Sequence, residues 1–142
     1  KNKFVADWFE FNLNINNILT ALTCRKYGWD IKSAIVGDNV VAETIRNSVS
    51  ARDFNLKAEI DYFDALVNIS ETANLLDREH RIDALKWNWL EENTFFSSFS
   101  VEKVLSFWLR CELMHRWDNL SMEEGAEIFR QMINDLKKDV KF

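Results

Sequence analysis

Large apolar residues near the start of the chain recur at alternating steps of four and three positions. This spacing places them on one face of an α-helix, and its members are Phe4, Trp8, Phe11, Ile15, Ile18 and Leu22. The pattern predicts a helix that ends near Gly28, because glycine readily adopts the left-handed conformation that closes a helix. The same stretch holds four asparagines, which are weak helix formers. We therefore expect tertiary packing to hold this helix in place.

Shorter apolar patterns follow, each preceded by a residue that caps helices. Asp30 is placed to open a short helix within residues 29–36, and Asp38 or Asn39 a second one within residues 40–49. Helical spacing of apolar residues predicts a further helix over residues 51–68. Ser70 is placed to cap another helix, which runs to Glu92.

The pattern of residues in the last third of the chain predicts two more helices. Ser100 is placed to cap a helix that runs to Leu120, in which residues 104–109 are apolar except for Ser106. Apolar side chains then point nearly all round the axis, so we expect this to be a buried central helix. Ser121 and Glu124 fit a capping box that opens the last helix.

Composition supports the same fold class. The chain of 142 residues contains no proline and three glycines, so residues that break helices and form hairpin turns are nearly missing. We predict an all-α fold, a multi-helix bundle of about six to seven helices with a buried central helix near residues 100–120. Residues 1–142 have the length of a single domain. The chain starts without methionine and already in helical register, so we also expect it to be a piece of a longer protein.

Charge and cysteine content restrict the partners. The net charge is −5, and because phosphate backbones are bound by clusters of Lys and Arg, we do not expect nucleic acid as a partner. Two cysteines cannot form a disulfide framework and fit a reducing compartment. No apolar run approaches the ~20 residues of a membrane span. We expect a cytoplasmic protein.

Candidate chemistry is sparse. The soft metal ligands are Cys24, His80, Cys111 and His115. Cys111 and His115 lie four apart on one predicted helix, but no second pair completes a zinc site. Glu112 and His115 match one element of a di-iron bundle, which needs two such elements and two further Glu. No nucleophile motif or phosphate-binding glycine loop is present, so we expect no catalysis, no metal and no cofactor.

Aromatic residues suggest a protein interface instead. The chain has six Trp and eleven Phe. Trp87 and Trp89 are two apart on a predicted helix and cannot both face one core. Trp117 adjoins Arg116, and Trp and Arg are enriched at interfaces. The candidate interface residues are Trp87, Trp89, Arg110, Arg116 and Trp117.

Two segments resemble the C-type subunit of the V/A-type rotary ATPases, which is called the d-type subunit in the eukaryotic enzyme. In the first, Asn14-Ile15-Asn16-Asn17-Ile18 leads to Leu22-Thr23-Cys24-Arg25-Lys26-Tyr27-Gly28. The family pattern is Asp-Leu-x-Asn-Ile followed by Leu-Arg-Ala, basic residues and a glycine. Asn17 falls on the family Asn, whereas Asn14 replaces the acid and Thr23 the Arg.

The second segment, residues 98–112, reads Ser-Phe-Ser-Val-Glu-Lys-Val-Leu-Ser-Phe-Trp-Leu-Arg-Cys-Glu. It resembles the family stretch Pro-Phe-x-x-Glu-x-Val-Leu-Ala-Tyr-Leu-Leu followed by Lys-Glu. Glu112 matches the first acid, and the sequence departs from the family pattern after it. The chain looks like the C-terminal portion of a divergent bacterial family that is encoded with V-type ATPase genes and takes the place of the C-type subunit.

This resemblance implies a non-catalytic structural adaptor. Its partners would be the central shaft subunits and the membrane proteolipid ring, so it would be peripheral to the membrane through partner subunits. The first alternative is an unrelated helical interaction module that binds a peptide or helix through Trp87, Trp89 or Trp117. The second is a metal-dependent enzyme built on Glu112 and His115.

Overall fold

A computed structural model describes residues 2–118 and 122–139 of the chain. These residues form seven helices and contain no strand, which confirms the all-helical fold class. The helices are α1 (Lys3–Tyr27), α2 (Ile31–Ala34), α3 (Val40–Asn47), α4 (Phe63–Glu71), α5 (Leu75–Thr94), α6 (Val101–Asp118) and α7 (Met122–Asp139).

The central helix of the first part of the chain is α1. It packs closely against α2, α3 and α4. Four residues of the predicted stripe are buried, namely Phe4, Phe11, Ile15 and Ile18. The other two, Trp8 and Leu22, pack against this core from its edge. The apolar spacing therefore predicted both the helix and its buried face.

The helix ends agree with the capping residues. Gly28 closes α1 with φ of 69°, and the Trp29 N–H donates to the carbonyl of Cys24 at 2.8 Å, as expected for a left-handed glycine cap. Asp30 accepts from the backbone N–H of Lys32 and opens α2. Asn39, rather than Asp38, caps α3 by accepting from the N–H of Ala42.

Two of the asparagines in α1 connect it to other segments. The Asn17 side chain pairs with the backbone of Val36, donating to its carbonyl at 2.8 Å and accepting from its N–H at 3.0 Å. Asn14 accepts from the amide of Asn39 at 2.8 Å. Both asparagines are buried. Their low helix propensity is thus offset by hydrogen bonds to the segments that α1 supports.

The predicted helix over residues 51–68 is wrong in its first half. Successive turns occupy residues 49–62, and α4 begins only at Phe63. Phe54 and Leu56, two residues apart, are both fully buried, whereas on a helix side chains at that spacing would diverge by about 200°. Phe54 and Asn55 instead take left-handed backbone conformations, with φ of 51° and 58°.

Arg25 holds this series of turns against α1. Its guanidinium donates to the carbonyls of Val49, Ala51 and Arg52 at 3.0, 2.8 and 2.6 Å. It also lies 3.7 Å from the centre of the Phe54 ring. One side chain therefore supplies donors to three carbonyls that a helix would have satisfied internally.

The expected start of the next helix is also corrected. Ser70 lies inside α4, where its hydroxyl donates to the Val67 carbonyl. Asn74 precedes α5 and accepts from the N–H of Leu76 at 2.9 Å, as an N-cap does. Ile82 is buried in the core around α1, and Leu85 packs against it.

The expectation of a buried central helix near residues 100–120 is wrong. Ser106 is the buried residue of α6, whereas Val104, Phe107 and Trp108 are 67%, 64% and 56% exposed. Nothing in the described residues covers these apolar side chains, so the apolar run did not predict burial. Ser100 caps α6 as predicted, accepting from the N–H of Lys103. Ser121 of the predicted capping box lies outside the described residues.

The chain divides into two compact units, the first ending at Asn93 and the second beginning at Thr94. The continuous buried core lies entirely in the first unit, with members from Phe11 to Ile82. The two units are defined by the contacts within each of them and not by independent folding. The single domain over residues 1–142 therefore stays a prediction.

We expect residues 1–93 to fold as a separate polypeptide, because they contain the whole of this core and the residues that cap α1 to α3. Urea unfolding followed by tryptophan fluorescence should show one cooperative transition. A broad, non-cooperative loss of signal would mean that the second unit is needed for the first to fold.

Candidate functional site

The second unit begins with a loop that exposes three phenylalanines. Phe95, Phe96 and Phe99 are 70%, 93% and 106% exposed, and the first two rings meet edge to face at 4.9 Å. Phe99 has φ of 59°, a conformation that is strained for a bulky residue. The backbone is thus held in a costly conformation in which this ring projects into solvent.

Local hydrogen bonds explain how the loop is held. The Ser97 N–H donates to the Thr94 carbonyl at 3.2 Å, and the Ser100 hydroxyl donates to the Ser97 carbonyl at 3.2 Å. Lys103 reaches back from the first turn of α6 to donate to the same Thr94 carbonyl at 3.1 Å. The fully buried hydroxyls of Thr94 and Ser106 lie 3.3 Å apart. These contacts fix the loop relative to the start of α6.

One face of α6 carries a row of cationic and apolar side chains, which we call the α6 stripe. Its members recur at steps of four and three and therefore share one face. They are Lys103, Phe107, Arg110, Met114 and Trp117. Phe107 and Met114 are 64% and 57% exposed, and the other three side chains are half-buried. Glu112 lies on the opposite face, about 180° from Lys103.

A surface cavity of about 490 Å³ lies where this stripe meets the loop. Its lining combines aromatic and aliphatic side chains with two cations. The lining residues are Ser98, Phe99, Ser100, Lys103, Val104, Phe107 and Arg110. The aromatic and aliphatic part of the lining suits an apolar side chain of a partner, and the two cations suit a carboxylate next to it.

The structure separates the five predicted interface residues into two groups. Trp89 belongs to the first unit, where its ring lies 5.7, 5.5 and 5.1 Å from those of Phe4, Trp8 and Phe11. It therefore packs against the core around α1. Trp87, two positions earlier, is also half-buried but is not among the residues that pack on this core.

The other three predicted residues lie together on α6. Arg110 and Trp117 are both members of the α6 stripe, and the Arg116 guanidinium lies 5.3 Å from the centre of the Trp117 ring. Sequence reasoning missed Lys103, Phe99, Phe107 and Met114, because it assigned this helix to the core. The spacing of Lys103, Phe107 and Arg110 was the available signal, since a buried face would not repeat cations two turns apart.

Arg25 and Tyr62, both in the first unit, have shifted pKa values. Burial lowers the pKa of Arg25, opposed by the nearby Asp53 carboxylate. Burial raises the pKa of Tyr62, whose ring meets Phe11 edge to face at 5.0 Å. A hydrogen bond with Asn14 acts in the opposite direction on Tyr62. Packing around α1 thus accounts for both shifts.

Metal ligands do not cluster in the described part of the chain. Within residues 2–118 and 122–139, no three His, Cys, Asp or Glu side chains come close enough to share a metal ion. Cys111 and His115 are both exposed on α6. Across the same residues, no helix combines the length and the apolar character that crossing a bilayer requires.

Comparison with known proteins places the chain in a family. Residues 1–140 match the family described as a protein of unknown function (DUF2764), and the chain belongs to that family. No curated protein and no solved structure gives a significant match.

Proposed function

We propose that this member of the DUF2764 family is a non-catalytic adaptor whose partners are subunits of a V-type rotary ATPase. The contact surface would be the α6 stripe together with the loop around Phe99. The observation that carries the proposal is the exposure of large apolar side chains along the segment that resembles the C-type subunit. Within residues 98–112, five such side chains are 56–106% exposed, namely Phe99, Val101, Val104, Phe107 and Trp108.

The chemistry of this surface supports a protein partner. Exposed aromatic side chains beside Arg are the residues that contribute most to protein interfaces. Lys103 and Arg110 border the cavity near Phe107, so a complementary partner would present acidic residues next to apolar ones. Torque-transmitting contacts also require a stiff support, and the hydrogen bonds that hold the loop on α6 favour one.

The two segments that resemble the C-type subunit differ in what their side chains contact. We therefore propose a different role for each of them. In the first, Asn17 and Arg25 bond to neighbouring backbone and stabilise the first unit. In the second, Phe99 and Phe107 face solvent. We therefore assign partner binding to the second segment. The proposed location is the cytoplasmic face of the proteolipid ring, reached through the partner subunits.

Co-purification from the native cell, using the tagged full-length protein, tests the proposal. Wild type should enrich shaft and proteolipid ring subunits of the V-type ATPase. Replacing both Phe107 and Met114 with Asp should reduce that enrichment by more than tenfold, because apolar anchors at an interface contribute about 1–2 kcal/mol each. Phe9, which is 68% exposed in the first unit, provides the matched control Phe9→Asp and should leave the enrichment unchanged.

The same experiment distinguishes the alternative of an unrelated helical interaction module. In that case the double substitution would release a reproducible partner that is not an ATPase subunit. An equal yield of ATPase subunits from wild type and the double variant would show that the α6 stripe is not the contact surface. The absence of ATPase subunits from the wild-type sample would overturn the adaptor proposal.

A further inference from the structure

The two cations of the α6 stripe lie on the same face of the helix as its exposed apolar side chains. Lys103, Phe107 and Arg110 all line the cavity. At about 100° per residue, Lys103 and Arg110 lie about 20° apart around the helix axis, and Phe107 lies within about 60° of both. Met114 continues the same face. A partner that covers Phe107 and Met114 must therefore also meet both cations.

This part of the surface is cationic, although the net charge of the chain is −5. The acidic residues of α6 are Glu102, Glu112 and Asp118. Glu102 and Glu112 lie about 100° and 180° from Lys103 around the axis, and Asp118 lies about 12 Å beyond Arg110 along it. The described residues that line the cavity include no acid. Between Lys103 and Arg110 the stripe therefore favours a partner with negative charge.

The separation of the two cations favours a helix as the partner. Lys103 and Arg110 are seven residues apart on α6, which is about 10.5 Å along the axis. A partner helix also returns to the same side after seven residues, and therefore after the same distance. Along a strand, residues on one face recur about every 6.8 Å, so that two acids would lie about 6.8 or 13.6 Å apart. Two acids on one helix match both cations in register.

The apolar members of the α6 stripe define the rest of the partner's pattern. Steps of four and three are the spacing at which two helices pack along a common seam. Phe107 lies between the two cations, and Met114 and Trp117 follow toward the end of α6. A helix that packs along this row needs an apolar residue three or four positions from each of its acids. Such a helix is amphipathic, with its acids within the apolar face.

We propose that the α6 stripe binds an amphipathic helix of a partner protein, which carries two acidic residues seven positions apart and an apolar residue between them. The acids pair with Lys103 and Arg110, and the apolar residue contacts Phe107 in the cavity. A helix with basic residues at these two positions is repelled, so the charges select the partner. This inference rests on the proposed use of the α6 stripe as a contact surface, but not on the partner being an ATPase subunit.

Synthetic helices added to the purified full-length chain test this pattern. The first peptide is a fluorescein-labelled, stapled helix of about 18 residues. It has Leu at positions 1, 8 and 15, Glu at positions 5 and 12, and Ala or Gln elsewhere. In the second peptide these Glu are exchanged with Gln at positions 3 and 10, which places them on the opposite face. Fluorescence anisotropy should show about tenfold tighter binding of the first peptide, because only its acids meet the two cations.

A third peptide tests the spacing of the acids. Its Glu at position 12 is exchanged with the Leu at position 8, so that both acids stay on the apolar face but lie three positions apart. Its composition equals that of the first peptide. It should bind about threefold more weakly than the first, because acids about 4.5 Å apart along the axis match one of the two cations and not both.

An Arg110→Gln variant tests whether the charge acts through pairing or through the fold. Its affinity for the first peptide should fall about threefold, whereas its affinity for a peptide with Gln at positions 5 and 12 should stay unchanged. A disturbed helix would weaken both peptides equally. Lys32→Gln removes one cation from the exposed surface of the first unit and should change neither affinity. Lys103 is kept in these variants, because its ammonium also donates to the Thr94 carbonyl.

Two results would overturn this inference. One is equal affinity of the wild type for all three Glu peptides, and the other is no binding of the first peptide at up to about 1 mM. Neither result would alter the co-purification of ATPase subunits, since that experiment does not depend on how acids are spaced in the partner. Selective binding of the first peptide by a chain that enriches no ATPase subunit would overturn the adaptor proposal alone.

Discussion

Replacing Asn17 with Leu is expected to lower the free energy of unfolding by about 3 kcal/mol. Leu shares with Asn the branching at Cγ, and it is a good helix former, so the helix can be retained. The substitution removes two hydrogen bonds to the backbone of Val36. Asn17 is 2% exposed, and without its amide the N–H and the carbonyl of Val36 lose the partner that they have in the wild type.

Urea unfolding measured by tryptophan fluorescence provides the comparison. Asn16, the exposed neighbour on the same helix, gives the matched control Asn16→Leu, which should change stability by less than about 0.5 kcal/mol. Equal stability of Asn17→Leu and wild type would show that the Asn17 pair does not hold residues 35–37 on α1.

Replacing Arg25 with Ala is the second substitution expected to have a large effect, about 2–3 kcal/mol. The guanidinium donates to three carbonyls of the turns that follow α3 and stacks on Phe54. Hydrogen bonds to charged groups contribute more than neutral ones, and a cation over an aromatic ring adds to them. The estimate is lower than their sum, because Arg25 is only half-buried and water can reach some of these carbonyls.

Two controls separate geometry from charge. Arg25→Lys keeps the charge but cannot donate along several fixed directions, so it should recover less than half of the loss. Lys26→Ala removes an exposed cation from the next position and should be nearly neutral. A fully stable Arg25→Lys variant would show that charge alone, and not the fork of donors, holds residues 49–54.

How far the sequence predicts this fold differs from segment to segment. The stripe from Phe4 to Leu22 predicted α1 and its buried face, because one helix with one apolar side admits one way of burying it. The capping residues Gly28, Asp30 and Ser100 were also identified correctly, since capping depends on a residue and its immediate neighbours. These helix ends could be predicted because each capping contact involves residues that are close together in the sequence.

Residues 49–62 show where such reasoning fails. Their apolar spacing resembled a helix, yet the backbone turns repeatedly and Phe54 is left-handed. The decisive contact is with Arg25, which is 24 residues or more away from the carbonyls it binds. The spacing of apolar residues within a short stretch of sequence gives no information about hydrogen-bond donors that lie so far away along the chain.

The structure divides the residues that were predicted to form an interface. Arg110, Arg116 and Trp117 were chosen for residue type, and the structure places them together on α6. Trp89 was chosen on the same grounds but packs on Phe11 and Trp8. Residue type indicates which side chains suit an interface, but whether a tryptophan meets its own core depends on which helices lie beside it.

By itself, the sequence determined the helical class, because it has no proline and its apolar residues recur at helical spacing. It also determined the buried face of α1, since a local period fixes which side chains share a side. Only the tertiary structure decided which helix is central, because burial depends on the neighbours that reach a surface. That is why α1 is buried by α2, α3 and α4, whereas the more apolar run in α6 faces solvent.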